Sequence, residues 1–298
     1  MAACLFATAV HAQRALPESS LAMRTASGWR TFWRASSAPR VWHDTSLASA
    51  IRWRAGASGI EWGELDLAGS GEAWRTRLVV ARVRPERVRI ALDTAFTADR
   101  MPAWTIDRAS GAVLAVNAGQ FEVSMPWGWV AVDGTEWLAP GFGPLSAALV
   151  GERDGHVRWL RASEIAGYRD AHPSSIRWAF QSYPALLASD SVPLALRESG
   201  HDVDVAHRDA RAAICIDHDE RIVVALTRFN AMGTRLGFIP FGLTSPEMAG
   251  VMGALGCRDA MLLDGGISAQ LMLRDATGVR HGWHGVRDVP VGLVMRPR

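Results

Sequence analysis

Two carboxylates in this chain stand where a short apolar run breaks into a glycine-containing turn, a setting that can present an acid to a pocket. Leu262-Leu263-Asp264-Gly265-Gly266-Ile267-Ser268 carries a strand-like run into a carboxylate, two glycines and a hydroxyl. Consecutive glycines let the N–H groups of Gly265 and Gly266 form a nest around a phosphate or other anion, and Asp264 sits where a strand end would present it to a pocket. Taken alone, the segment reads instead as a tight Asp-Gly hairpin joining two strands. Val116-Asn117-Ala118-Gly119-Gln120-Phe121-Glu122 has the same form. There Asn117 and Gln120 could bind sugar hydroxyls, and Glu122 could serve as general acid or base. Its plainer reading is an Asx-turn closing a loop, with Glu122 in solvent. Arg208-Asp209-Ala210-Arg211 opens a strand, where a pocket-facing Arg211 would suit a phosphate through a two-pronged fork; a surface arginine is the default. Gln181-Ser182-Tyr183-Pro184 adds an amide and a hydroxyl before a proline turn.

Other chemistries are excluded by what is missing. All 32 basic residues are arginine, so no lysine is available for a Schiff base, a general base or a P-loop. No GxSxG elbow, HExxH pair or CxxC spacing occurs, which argues against serine hydrolysis and against a structural or catalytic metal. No cofactor is expected. A net charge of +2 gives no electrostatic case for nucleic acid.

These residues need elements to position them. With 49% hydrophobic and 21% charged residues the chain has the composition of a packed globular protein. Strands are expected over 60–67, 74–83, 88–92, 112–116, 211–216, 221–229, 260–263 and 269–273. One helix has clear end signals: Thr244 or Ser245 as N-cap, Pro246 at its first position, Glu247 in its first turn and Gly256 as its stop, with Met248, Met252 and Leu255 on its apolar face. Strands outnumber helices without a regular βαβ alternation, so the expected fold is a single α+β domain, a mixed and largely antiparallel sheet packed with a few helices.

Residues 2–10 are apolar but too short to span a membrane, and with the small residues that follow they resemble the end of a signal peptide, here 1–12. Export, to a periplasm or the outside, is the resulting expectation. Residues 13–57 form a Trp-rich segment in which Trp29, Trp33, Trp42 and Trp53 read as a plug over a core edge ahead of a sugar-stacking surface. Once a signal carrying Cys4 is removed, Cys215 and Cys257 remain; each lies in an apolar stretch and reads as a separate buried thiol.

In this order the motifs resemble the phosphodiester glycosidase family over roughly residues 58–297. The matching segments are Asn117 to Glu122, Gln181 to Leu187, Arg208 to Ile216, Gly242 to Glu247 and Leu263 to Ser268, with Val286 to Gly292 similar to the family's last strand. Ala118, Gln120, Ala212, Cys215 and Ile267 depart from the pattern. The resemblance implies hydrolysis of the anomeric C–O bond of a sugar-1-phosphodiester, with a phosphorylated glycan as partner. It makes Asp264 the carboxylate at the anomeric centre and Glu122 the second one. Arg211, Gly265, Gly266 and Ser268 would hold the phosphate, while Asn117 and Gln181 would bind sugar hydroxyls or support the loops. The competing expectations are a non-catalytic glycan-binding envelope module and a phosphodiesterase that cuts P–O.

Overall fold

The computed structural model describes residues 16, 18–198, 201, 203–231 and 236–298. The expected signal remnant over 1–12 lies outside these. Three antiparallel sheets and a two-stranded hairpin make up the molecule, so the fold is α+β with strands dominant.

The first sheet has nine strands and runs Ala185–Leu187, Cys257–Leu262, Ala212–Asp217, Ile222–Phe229, Thr76–Val83, Glu61–Gly69, Ser20–Thr25, Gly28–Arg34, with Arg54–Ala55 added on Glu61–Gly69. Its strands are apolar on both faces because both faces are covered. Along Ile222–Phe229, Ile222, Val224 and Leu226 enter one core while Val223 and Ala225 enter another, the period of two that a pleated strand imposes.

On one face lie the two five-stranded sheets. One contains Ala147–Glu152, Ile176–Ser182 and Val130–Val132; the other contains Val88–Thr94, Val291–Pro297, Leu114–Asn117 and Leu271–Arg274. Their Leu149, Phe180, Leu114, Val116, Leu271 and Leu293 meet Val79, Ile214 and Met261 in the main core.

On the other face lies the helix Ser245–Ala254. Thr244 is its N-cap: its hydroxyl accepts the Glu247 N–H at 3.2 Å, and the Glu247 carboxylate accepts the Thr244 N–H at 2.9 Å. Every residue of this helix is buried, not one face alone. The reason is the Trp-rich segment, which packs over it from outside. A Cβ on Gly250 would stand 2.4 Å from the Trp33 ring and one on Gly253 2.3 Å from the Trp42 ring, so only glycine lets these indoles lie on the helix. Trp33 and Trp42 are thereby buried, Trp53 is partly buried under Arg82, and Trp29 is half exposed.

Two sequence expectations are corrected here. Cys215 and Cys257 are joined in a disulfide, with Cα atoms 5.8 Å apart. They sit on neighbouring antiparallel strands, and a register shift after Ile216 brings Cys257 opposite Asp217, within reach of Cys215. An apolar setting did not separate the thiols, because the apolar stretches are adjacent strands. Nor is Asp264-Gly265-Gly266 a hairpin: the strand before it belongs to the nine-stranded sheet and the strand after it to a five-stranded sheet. The turn carries the chain from one layer to another.

Candidate active site

Strand ends from all three sheets converge around Asp264. Leu114–Asn117 delivers Asn117, Ile176–Ser182 delivers Gln181 and Ser182, and Cys257–Leu262 delivers the glycine turn. Asn117 is fully buried and acts as the joint. Its Nδ2 donates to the Asp264 carbonyl at 2.8 Å and its Oδ1 accepts the Gln270 N–H at 2.9 Å, so one side chain fixes both ends of the turn. The Asp264 N–H donates to the Ala118 carbonyl at 3.0 Å.

Burial raises the Asp264 pKa to about 6; Ser268, Arg287 and the Gly265 amide pull it down, and the charge of Asp209 pushes it further up. Asp209 is itself raised by burial, against the opposing influence of Arg211 and His207. The two carboxylates flank Gly266, whose φ of +59° and whose position, with a Cβ that would lie 2.6 Å from Asp209 Oδ2, both require glycine. His207 Nε2 stands 3.6 Å from Asp209 Oδ2. Arg287 lies over the Phe121 ring at 4.5 Å. Asp264, Asp209, Arg287 and His207 thus form one charged cluster, of which the sequence singled out only Asp264. The signals for the others were faint: Asp209 inside the Arg-x-x-Arg motif, and Arg287 in the segment before the last strand.

The other expected residues divide. Gly265 and Gly266 lie in the turn, but their amides do not form the expected open nest: the Gly266 N–H donates to the Ala210 carbonyl at 2.7 Å, the Ser268 N–H to the Gly265 carbonyl at 3.1 Å, and the Gly265 N–H and the buried Ser268 side chain to the Asp264 carboxyl group. Glu122 is exposed on the Phe121–Glu122/Met125–Pro126 hairpin, and its carboxylate has no hydrogen bond or ion pair among the described residues. Gln181 is buried and saturated: its Oε1 accepts from the Trp129 and Gly141 amides, and its Nε2 donates to Ser146 Oγ and the Gly141 carbonyl. It supports loops. Arg211 donates through Nε to the Leu243 carbonyl at 2.8 Å and through Nη2 to the His207 carbonyl at 2.6 Å, and burial lowers its pKa. The guanidinium therefore braces the strand entrance with two of its nitrogens.

The neighbouring Arg208 forms a two-pronged pair with Glu247, both contacts at 2.7 Å. The Arg-x-x-Arg segment and the helix cap are locked together by this pair. Gln120, which replaces an aromatic of the pattern, has a structural use: its Oε1 accepts from Ser182 Oγ and the Tyr183 N–H, and its Nε2 donates to the Tyr183 carbonyl. Beside it Trp127 and Tyr183 form a tilted aromatic pair with ring centroids 5.0 Å apart. Ile267 points outward and is 44% exposed. Among the described residues no group of three or more His, Cys, Asp or Glu side chains is arranged to hold a metal, and no helix is long and apolar enough to cross a membrane.

A strand-rich α+β scaffold thus carries a partly buried acid on a glycine turn, with a second acid and an arginine acting on its carboxyl group. The profile of the phosphodiester glycosidase family matches residues 110–296, and the chain belongs to that family. The zebrafish N-acetylglucosamine-1-phosphodiester alpha-N-acetylglucosaminidase catalytic domain, solved auto-inhibited by its pro-peptide, is similar in fold. It has a TM-score of 0.61 at 13% identity, over 87% of this chain and 95% of that one. A hypothetical protein from Synechocystis is also similar, with a TM-score of 0.51 at 15% identity over 93% of this chain and 68% of that one. No curated protein matches the sequence.

Proposed function

We propose that the protein hydrolyses the bond between a sugar's anomeric carbon and a phosphodiester oxygen, with Asp264 at the anomeric centre. The observation that carries this reading is the raised pKa of Asp264 in a site that also holds Arg287. An acid of pKa about 6 is ionised at neutral pH yet basic enough to take a proton from water or to attack C1. The C1–O bond breaks with its electrons leaving on the phosphate oxygen, and the phosphate needs little protonation because it is already a stable anion. Arg287 stabilises that charge. Asp209, partly buried and near enough for its charge to raise the Asp264 pKa, takes the role of second carboxylate in preference to the solvent-facing Glu122. Trp127 and Tyr183 offer a ring face against which a sugar can lie.

The Cys215–Cys257 disulfide supports an exported protein, since such bonds persist in oxidising compartments. An envelope or extracellular phosphorylated glycan is then the substrate class.

The test is incubation with an N-acetylglucosamine-1-phosphodiester in oxygen-18 water, with products read by mass spectrometry. Label at the sugar C1 is the expected result. Label in the phosphate means P–O cleavage and overturns the reading. Saturable glycan binding without turnover would make this a binding module.

A further inference from the structure

A second cationic site lies on the strand Ile222–Phe229, outside the Asp264 cluster. Arg228 is 7% exposed, and burial alone lowers its pKa, to about 10, so it remains charged at neutral pH. Among the described residues no carboxylate pairs with it and its Nε has no partner; its Nη2 donates to the carbonyls of Ala269, Trp283 and His284 at 2.5, 3.0 and 2.8 Å, and its Nη1 to the Gly237 carbonyl at 3.4 Å. Backbone dipoles solvate this charge without neutralising it, and a buried cation is stable in proportion to how fully it is compensated.

Arg228 lines a cavity of about 320 Å³ together with Arg77, Asn230, Phe238, Trp283 and His284. This is the lower end of the size range for small-molecule sites. Its one carboxylate, Glu64, faces Arg77 at 3.8 Å, and Arg77 also pairs with Asp66 at 2.9 Å. Two carboxylates thus face the single charge of Arg77, and Arg228 is the lining cation that no carboxylate of the described residues contacts. Phe238 is 56% exposed at the cavity, and Trp283 adds an indole. A buried unpaired guanidinium beside aromatic faces is the chemistry that recognises an anion carried on a sugar ring.

We propose that this cavity is a second binding site, which takes the phosphate of a phosphorylated sugar on Arg228 with the ring against Trp283 and Phe238. The segment that borders it also borders the Asp264 turn. Trp283 and His284 line the cavity, and three residues on, the Arg287 N–H donates to the Ile267 carbonyl at 3.1 Å. A glycan with more than one phosphate can thus engage both places. The proposal concerns binding and stands whether or not Asp264 is catalytic.

Calorimetric titration tests it, with N-acetylglucosamine 6-phosphate, inorganic phosphate and N-acetylglucosamine as probes. The phosphosugar is expected to bind at least tenfold more tightly than the neutral sugar. Arg228→Met should weaken it tenfold or more. Asn230→Asp, which leaves the carbonyl bonds of Arg228 intact and places a negative charge on the cavity wall, should do the same in a protein with native near-ultraviolet circular dichroism. Phe238→Ser should weaken the phosphosugar and spare inorganic phosphate. Absence of phosphosugar binding, or binding unchanged in folded Arg228→Met or in folded Asn230→Asp, overturns the proposal.

Discussion

Asp264 keeps its proton to about pH 6 because the turn that holds it has been taken out of water. The consequence for stability has a definite sign. Between pH 4 and 6 the folded state binds this proton and the unfolded state releases it, so this group's contribution makes stability fall as pH rises through that window. Asp264→Asn removes the fall. The melting temperature of the variant relative to the wild type should therefore rise from pH 4 to pH 6 and level off above, while turnover disappears. In the wild type, turnover should increase with pH through about 6 as the carboxylate ionises; a rate independent of pH from 4 to 7 would contradict its role. Gly266 belongs to the same scale. Its positive φ and its contact with Asp209 leave no room for a methyl group, so Gly266→Ala should cost about 2 kcal/mol in urea unfolding and lower turnover by displacing Asp209.

The element that most needs its neighbours is the helix Ser245–Ala254. Its cap is legible in Thr244, Pro246 and Glu247, but Glu247 does more than close a capping box. It is fully buried and neutralises Arg208, which ties the helix start to the strand entrance that Arg211 braces. Breaking such a pair leaves one charge unsatisfied, so Glu247→Ala should destabilise the protein by about 3 kcal/mol, measured by denaturant midpoint. Glu247→Gln should recover part of that loss through its amide hydrogen bonds. At this scale the eight expected strands were readable because alternating or β-branched runs mark them, and their ends agree within a few residues, whereas Ser20–Thr25, Gly28–Arg34, Ala147–Glu152 and Ile176–Ser182 were not among those expected. Thr76–Val83 starts later than the run from Trp74, since Gly71–Arg75 winds into a 3-10 turn first.

Across the whole molecule, the disulfide closes a long stretch of chain. The two cysteines are 42 residues apart, and a loop of that length corresponds to about 4 kcal/mol in the chain-entropy account. A Cys215→Ala/Cys257→Ala double variant should therefore unfold with a clearly lower melting temperature, and thiol titration of the unfolded wild type should gain two reactive thiols only after reduction. Failure to gain them would remove the bond and with it the support for export. The disulfide fastens the second and third strands from one edge of the nine-stranded sheet, on the face that packs against the helix and tryptophans.

The sequence by itself determined the local geometry and the family pattern: apolar runs that become strands, a capped helix, glycines at turns, and the ordered motifs around Asn117, Arg211 and Asp264. Those depend on neighbours along the chain. Only the tertiary structure decided which polar groups share a volume. It placed Asp209 and Arg287 beside Asp264 and left Glu122 in solvent. It gave Gln181 and much of Arg211 to loop carbonyls and amides, joined Cys215 to Cys257, and buried Arg228 without a counter-ion. Each of these turns on burial and on distances between strands of different sheets, quantities that arise only when the layers pack.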